Sequence, residues 1–417
     1  MFALVDAVSF YASAEKVFDP SIRNKPVVVL TNNDGCVCAV CPIARRLNIP
    51  RFGPYFKIKE TLARQGVVVR SSNYELYADL SARMMAVIGR FCDQQHIYSI
   101  DESFLQFHGF EKLVDSWAAY GQLIRKTVWH ETKLPVGVGF GPSATLAKAA
   151  NYAAKKLGYQ GVAVIDNESI RRQILSQMDV SHVWGVGHRL CKRLEEMGIK
   201  TALDLANADA KKLRWEFSVI LERTVQELNG ISCLSWDEVR QRKKEIYSTR
   251  SFGQRITQAD DLHAALTAHA VIVAQKLRKQ GSQARRLVIF ASNSPHDEQF
   301  FKRWFIHEFA VASCDASVFA HAITKLMPQL FKPGIAYYKC GIGAIELEDA
   351  HTQQLDLFHA PDDKPDVLNC LDRINHRYGP GTLSIASDKT QCQWAMRRDF
   401  LSPRYTTRWS DIPIVKC

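Results

Sequence analysis

The sequence predicts an α+β chain of several domains, and three observations carry that reading. Short apolar runs of strand character alternate with amphipathic helical stretches over the first 165 residues. The pattern turns helical and strand-poor from Asp166 to about Asn229, then mixed again from Ile246 to about Ile345. The 417 residues suffice for about two to four domains at roughly 100–200 residues each.

Taken in order, FALVDAV is a short apolar strand that ends at Asp6, and YASAEKVF has helical character. PVVVL is a buried strand bounded by Lys25-Pro26 and the turn Asn32-Asn33-Asp34-Gly35. Cys41 to Leu47 is helical and GVVVRSS is a strand. Tyr74 to Phe91 predicts a long helix with Leu76, Leu80, Met84, Val87 and Ile88 on one face. HIYSIDESFLQFHG predicts a hairpin with Asp101 and Glu102 at its tip. Ser116 to Trp129 is helix, PVGVGFG is strand, and SATLAKAANYAAKK is an Ala-rich helix. VWGVGHRLCKRLEEMGIKTALDLA predicts a helix, a tight turn at Gly185-Val186-Gly187, and a second helix. Glu238 to Lys244 is a charged linker. Residues 346–417 carry Pro, Gly and polar runs and are expected to be loosely structured.

Composition narrows the function classes. Hydrophobic residues make up 47% of the chain, which excludes a wholly disordered protein. The longest apolar runs, such as Val27 to Leu30, are far too short to span a bilayer. MFALVDAVSF has no basic segment and carries Asp6 within its apolar stretch, so no signal peptide is predicted and the chain is expected in the cytoplasm, away from membranes. The 11 cysteines would be reduced there. Cys36, Cys38 and Cys41 have no fourth ligand at a zinc-like spacing and read as small buried residues. The net charge of +11 suits a polyanionic partner. Most of that excess lies between Val239 and Ile345, where sixteen Lys and Arg face seven Asp and Glu. A segment of this kind grips a phosphate backbone.

The chemistry points to three carboxylates. Phosphoryl transfer uses two divalent ions about 4 Å apart. Hard ions such as Mg²⁺ take carboxylate and carbonyl oxygens, with substrate phosphates filling the rest. Asp6 at a strand end and the adjacent Asp101 and Glu102 at a hairpin tip can converge at one sheet edge. Apolar flanking strands would hold the pair in place. Gly185 and Gly187 would let backbone N–H groups approach a phosphate ahead of a helix N-terminus.

FALVDAVSFYAS, SSNYELYADLS, IYSIDESF, LPVGVG and TLAKAANYAAKK, in this order and spacing, resemble the Y-family of translesion DNA polymerases, in its UmuC-like branch. RSFGQRIT and LSPRYTTRWSD extend the likeness to nearly the last residue. The resemblance implies a ferredoxin-like palm (1–24 and 75–165), small fingers (25–74), a helix-hairpin-helix thumb (166–237), an α/β little finger (242–345) and a C-terminal tail (346–417). It implies error-prone, two-metal synthesis from dNTPs on primer-template DNA across damaged bases, without proofreading. Asp6, Asp101 and Glu102 would hold two Mg²⁺ with the Ala7 carbonyl. Phe10 and Tyr11 would lie at the incoming nucleotide, Tyr11 excluding a 2′-hydroxyl, and Arg45 and Lys155 would touch the triphosphate. Gly185, Gly187, Arg250, Arg285 and Arg286 would meet DNA.

Gln354, Leu355, Leu357 and Phe358 resemble the short peptide by which bacterial polymerases dock on a sliding clamp. The tail's likeness implies a UmuD-type cleaved dimer and a RecA filament as partners. The sequence departs from the family at Pro42, Asn48 and Ala144. The competing readings are a two-metal nuclease, which needs neither a sugar gate nor a triphosphate site, and a non-catalytic clamp-bound DNA adaptor, which needs no acidic triad.

Overall fold

In a computed structural model of the chain, the structure describes residues 1–109, 113–233, 242–352, 363–379, 381–383 and 395–414. They fall into two compact units, Met1–Arg240 with Arg398–Cys417, and Gln241–Arg397. No helix among the described residues is long and apolar enough to cross a membrane.

The first unit opens with β1 (Phe2–Ala7), α1 (Phe10–Glu15), β2 (Val27–Leu30), β3 (Val37–Val40), α2 (Pro42–Arg45), α3 (Tyr55–Arg64) and β4 (Val68–Ser71). It continues through α4 (Tyr74–Ile88), β5 (Gln94–Ile97), β6 (Glu102–Gln106), α5 (Trp117–Thr132), β7 (Val136–Gly141), α6 (Ala144–Lys156) and β8 (Val162–Val164). One sheet has the order β5-β6-β1-β7-β8, and a smaller one the order β3-β2-β4.

The alternation of β1 explains its central place. Ala3, Val5 and Ala7 pack in one core with Val87 and Ile88 of α4 and Ile124 and Val128 of α5. Phe2 and Leu4 point the other way, to Phe104, Ala144 and Ala147. A strand with period two can thus bury both faces. The glycines of PVGVGFG let α6 come close. A Cβ on Gly139 would lie 2.0 Å from the Asn151 backbone nitrogen. Asn151 uses that proximity to donate to the Leu4 and Gly137 carbonyls at 3.2 and 2.9 Å.

The helical region comprises α7 (Glu168–Ser176), α8 (His188–Glu196), α9 (Ala202–Asn207), α10 (Ala210–Glu216) and α11 (Val219–Leu228). Its core continues into Leu146, Ala150 and Ala153 of α6. The helix expected just before the glycine turn is only a 3-10 turn, Val180–His182. Gly185 has φ +87°, a conformation that L side chains avoid, so the turn requires glycine there.

The second unit contains β9 (Ile246–Ile256), α12 (Ala259–Gln280), β10 (Ser282–Ser292), β11 (Lys302–Ser313), α13 (Ala316–Leu330), β12 (Tyr337–Asp349) and α14 (Pro365–Tyr378). Its sheet is antiparallel in the order β11-β10-β12-β9, and α12 and α13 share its core.

The expectation of a loosely structured 346–417 needs correction. Strand β12 runs on to Asp349, and α14 buries Leu368 and is held by Asp372, which accepts from Arg278 at 2.7 and 2.8 Å. Residues 398–414 join the first unit, where Phe400 and Ser71 exchange hydrogen bonds at 3.0 Å. The error has a physical cause. Residues 398–414 pack Phe400 and Tyr405 on the first unit's core and bond to Ser71 and Asn73, more than 300 positions earlier, while α14 is held by Arg278. Most of the expected linker, and Gln354, Leu355, Leu357 and Phe358, lie outside the described residues.

Candidate active site

Sheet register brings the acidic residues together. Strand β1 runs antiparallel to β6 with Leu4 opposite Phe104 and Asp6 opposite Glu102. Directly opposed residues share a face, with Cβ atoms about 4.5–5.5 Å apart. Asp6 and Glu102 therefore emerge on the α6 side of the sheet. The β5–β6 turn adds Asp101, whose carbonyl accepts from the Ala7 N–H at 2.9 Å. Ser99 organises this turn. Its hydroxyl donates to Asp101 Oδ1 at 2.6 Å and accepts from the Asp101 and Glu102 N–H groups at 3.2 and 3.1 Å. Ser81 of α4 donates to the Ile100 carbonyl at 2.6 Å and ties the turn to the core.

Two lysines of α6 face the acids. Lys155 pairs with Asp6, passing over Gly137, where any Cβ would lie 2.9 Å from its stem. Gly137 is itself opposite Asp6 across β1 and β7. Lys148 donates to both Glu102 oxygens at 3.0 Å. Its ammonium also sits 4.7 Å from the Tyr98 ring, 5.3 Å from Trp184 and 5.9 Å from Phe104. Burial pushes the Asp6 carboxyl up to about 6; Lys155 opposes this, and the charges of Glu102 and Asp101 add to it.

Beside these groups lies a cavity of about 320 Å³ lined by Asp6, Asp101, Tyr11, Arg45, Arg51 and Lys155, among others. Arg45 donates to Ser9 Oγ at 3.0 Å. Tyr11 is half-buried, and burial pushes its hydroxyl up to about 12. Phe10 is buried in the core and also borders the cavity.

Among the described residues no three His, Cys, Asp or Glu side chains stand grouped to hold one ion. The reason is visible: Asp6 and Glu102 are each turned to a lysine. The donor set nevertheless fits magnesium. It is all hard oxygen, it borders a cavity, and mutual repulsion helps to raise Asp6, a demand for positive charge that a divalent ion would meet.

Lys148, Arg51 and Ser99 were missed by sequence reasoning. Lys148 had a usable signal, because it precedes Lys155 by seven residues, two helical turns on the same face. Arg51 had none, since a loop brings it to the cavity. Of the clustered cysteines, Cys41 is buried, while Cys38 is half-buried and borders the cavity.

The expected DNA contacts are scattered. Gly185 and Gly187 have open space where a Cβ would be. Arg250 is opposite the buried Cys340 on edge strand β9, so it belongs to the helix-covered side of the sheet. A register shift between Ala284 and Arg286 places Arg285 at a bulge, donating to the Ala310 carbonyl at 2.7 Å. Arg286 is paired with Glu308 and Glu346, at 3.0 and 2.7 Å.

Comparison with known proteins completes the picture. The profile of the impB/mucB/samB family matches residues 5–158, and that of its C-terminal domain residues 243–357. A third profile, of a domain of unknown function, matches residues 365–415. The chain is 42% identical over 425 residues to protein UmuC of Salmonella typhimurium strain LT2, covering 100% of both chains. It is 38% identical over 421 residues to protein MucB of Escherichia coli, covering 99% of both. Among solved structures, a Y-family DNA polymerase chimera of Dbh and Dpo4 matches with a TM-score of 0.62 at 19% identity, over 83% of this chain and 99% of that one, a likeness of fold.

Proposed function

The chain belongs to the impB/mucB/samB family and is an error-prone translesion DNA polymerase of the Y-family, and on that premise we propose which of its residues carry the reaction. Asp6, Asp101 and Glu102, with the Ala7 carbonyl, would hold two Mg²⁺. The register that sets Asp6 opposite Glu102 is the observation that supports this most directly. Ions held by these residues would supply Lewis-acid activation of the primer 3′-hydroxyl and charge neutralisation at the triphosphate.

The protein's own groups do the rest. Lys155, Arg45 and Arg51 border one cavity and offer three cations to a triphosphate. Such cations are most effective when charge builds on the departing pyrophosphate. Lys155, which borders the cavity, would exchange its Asp6 partner for phosphate oxygens. Tyr11 closes the sugar side and meets a 2′-hydroxyl sterically. Ser99 keeps Asp101 and Glu102 aimed by holding the turn from three sides.

In the family's terms, residues 1–24 and 75–165 are the palm, 25–74 the fingers, 166–237 the thumb and 242–345 the little finger. The thumb's Gly185–Gly187 turn and the basic second unit would hold primer-template DNA through its phosphates, with a steep loss of affinity in salt. Arg286, already paired with two acids, is a weak candidate for that role. Leu355, Leu357 and Phe358 would dock on the sliding clamp, and the tail would meet a UmuD-type dimer and a RecA filament. Its bacterial relatives support a cytoplasmic location for this work.

Primer extension with Mg²⁺ tests the assignment. Asp101→Asn should lower extension by at least about a hundredfold, as loss of a metal ligand does in phosphoryl transfer, while DNA binding by anisotropy stays within about threefold. Extension at the unaltered rate would remove Asp101 from the site.

A further inference from the structure

The segment 398–414 reaches the nucleotide cavity indirectly. It lies in the region matched by the domain of unknown function. Asn73 Nδ2 donates to the Ser402 carbonyl, Ser402 Oγ and the Pro403 carbonyl at 3.1, 2.9 and 3.2 Å. Its Oδ1 accepts from the Leu76 N–H at 3.3 Å and caps α4. Glu75 accepts from Arg398 and lies 3.1 Å from Arg404. Tyr405 stacks on Phe18 at 5.1 Å, and Phe400 meets Tyr55 edge-on at 5.6 Å. The segment thus grips the first turn of α4.

That turn carries the rings around Tyr11. Tyr77 stacks on Tyr11 with centroids 4.6 Å apart and planes 17° from parallel. Tyr74 and Phe10 meet the same ring at 6.1 and 5.7 Å. Tyr77 is fully buried, and its hydroxyl donates to Glu15 Oε1 at 2.6 Å. Ser402 Oγ donates to the same oxygen at 3.2 Å.

Glu15 is 1% exposed. Among the described residues its Oε2 has no hydrogen-bond partner, and Arg70 Nε lies 3.8 Å away. A buried carboxylate so poorly compensated lowers stability, and phenylalanine at 77 beside an apolar residue at 15 would fill the space without that penalty. Packing therefore does not account for the arrangement. Fixing the position and tilt of one ring does, because the hydrogen bond pins the far end of Tyr77 while its face meets Tyr11.

We propose that the C-terminal segment sets sugar discrimination, with Ser402 holding Glu15, Glu15 holding the Tyr77 hydroxyl, and the Tyr77 ring fixing the Tyr11 ring against the incoming sugar. This rests on the reading of Tyr11 as the sugar gate. Ser402, Glu15 and Tyr77 are positioning residues, since none of them borders the cavity.

The test uses the full chain and single-nucleotide insertion of dCTP and CTP opposite template guanine. The readout is the ratio of the two kcat/KM values, which general loss of folded enzyme leaves unmoved. Ser402→Ala and Tyr77→Phe should each lower the ratio about threefold to tenfold, the range for loss of one hydrogen bond. The change should come from a lower KM for CTP. The double variant should match the larger single effect, because both act through one chain of contacts. Ser402→Thr, which keeps the hydroxyl, should restore the ratio.

Tyr11→Ala separates the two levels of the claim. If it collapses the ratio while Ser402→Ala and Tyr77→Phe leave it unchanged, the gate stands and the proposal is overturned. An unchanged ratio in Tyr11→Ala removes the gate and the proposal together.

Discussion

Replacing Asp6 by Asn should stabilise the folded protein while ending its chemistry, and the size of the gain follows from the site. The Asp6 carboxyl moves from its ordinary value of 3.8 to about 6 on folding. A raised acid binds protons more tightly in the folded chain. Its stabilising contribution is complete below pH 3.8 and disappears as pH rises through about 6. Above that, the ionised form has lost about 3 kcal/mol relative to the neutral one. The pull of Lys155 is already contained in the value of about 6, so it is not subtracted again. Asn imitates the neutral acid at every pH.

Allowing for the 19% of the side chain that remains exposed, Asp6→Asn should gain about 2 kcal/mol at pH 8. That corresponds to roughly 5 °C in melting temperature for a unit of this size. Melting followed from pH 4 to pH 8 should show the two proteins together at the acid end and separating between pH 4 and pH 6. Mg²⁺ should raise the melting temperature of the unaltered protein and leave the variant unmoved, since only the former gains a site. A gap that is constant with pH, or a variant less stable at pH 8, would refute the electrostatic account.

Two further outcomes follow from the same contacts. Lys148→Met removes a competitor for both Glu102 oxygens, so half-saturation by Mg²⁺, read from the rise in melting temperature, should fall about fivefold, matching an ion pair of about 1 kcal/mol; an unchanged midpoint would show that the ammonium does not compete. Asn73→Ala loses the α4 cap and three contacts to residues 402–403, and should cost about 2–4 kcal/mol by urea unfolding. Asn73→Asp keeps the cap but cannot donate, so its loss should be confined to the C-terminal contacts and appear as faster protease cleavage there.

What the sequence determined by itself was local and periodic. The apolar run ending at Asp6, the hairpin around Asp101 and Glu102 and the one-sided Tyr74 helix are written in residues a few positions apart, where strand and helix periods are set. Even the α6 pair Lys148 and Lys155 was legible as a seven-residue spacing.

Only the tertiary structure decided the one-residue register that sets Asp6 against Glu102 rather than Ser103. A slip of one would send the two carboxylates to opposite faces. It alone also decided the loop that brings Arg51 to the cavity and the return of Ser402 to Glu15 and Asn73. Those contacts join positions more than 300 residues apart in Ser402's case, and no periodicity within a segment encodes a partner at that range. They are selected by the burial and hydrogen bonding of the whole fold.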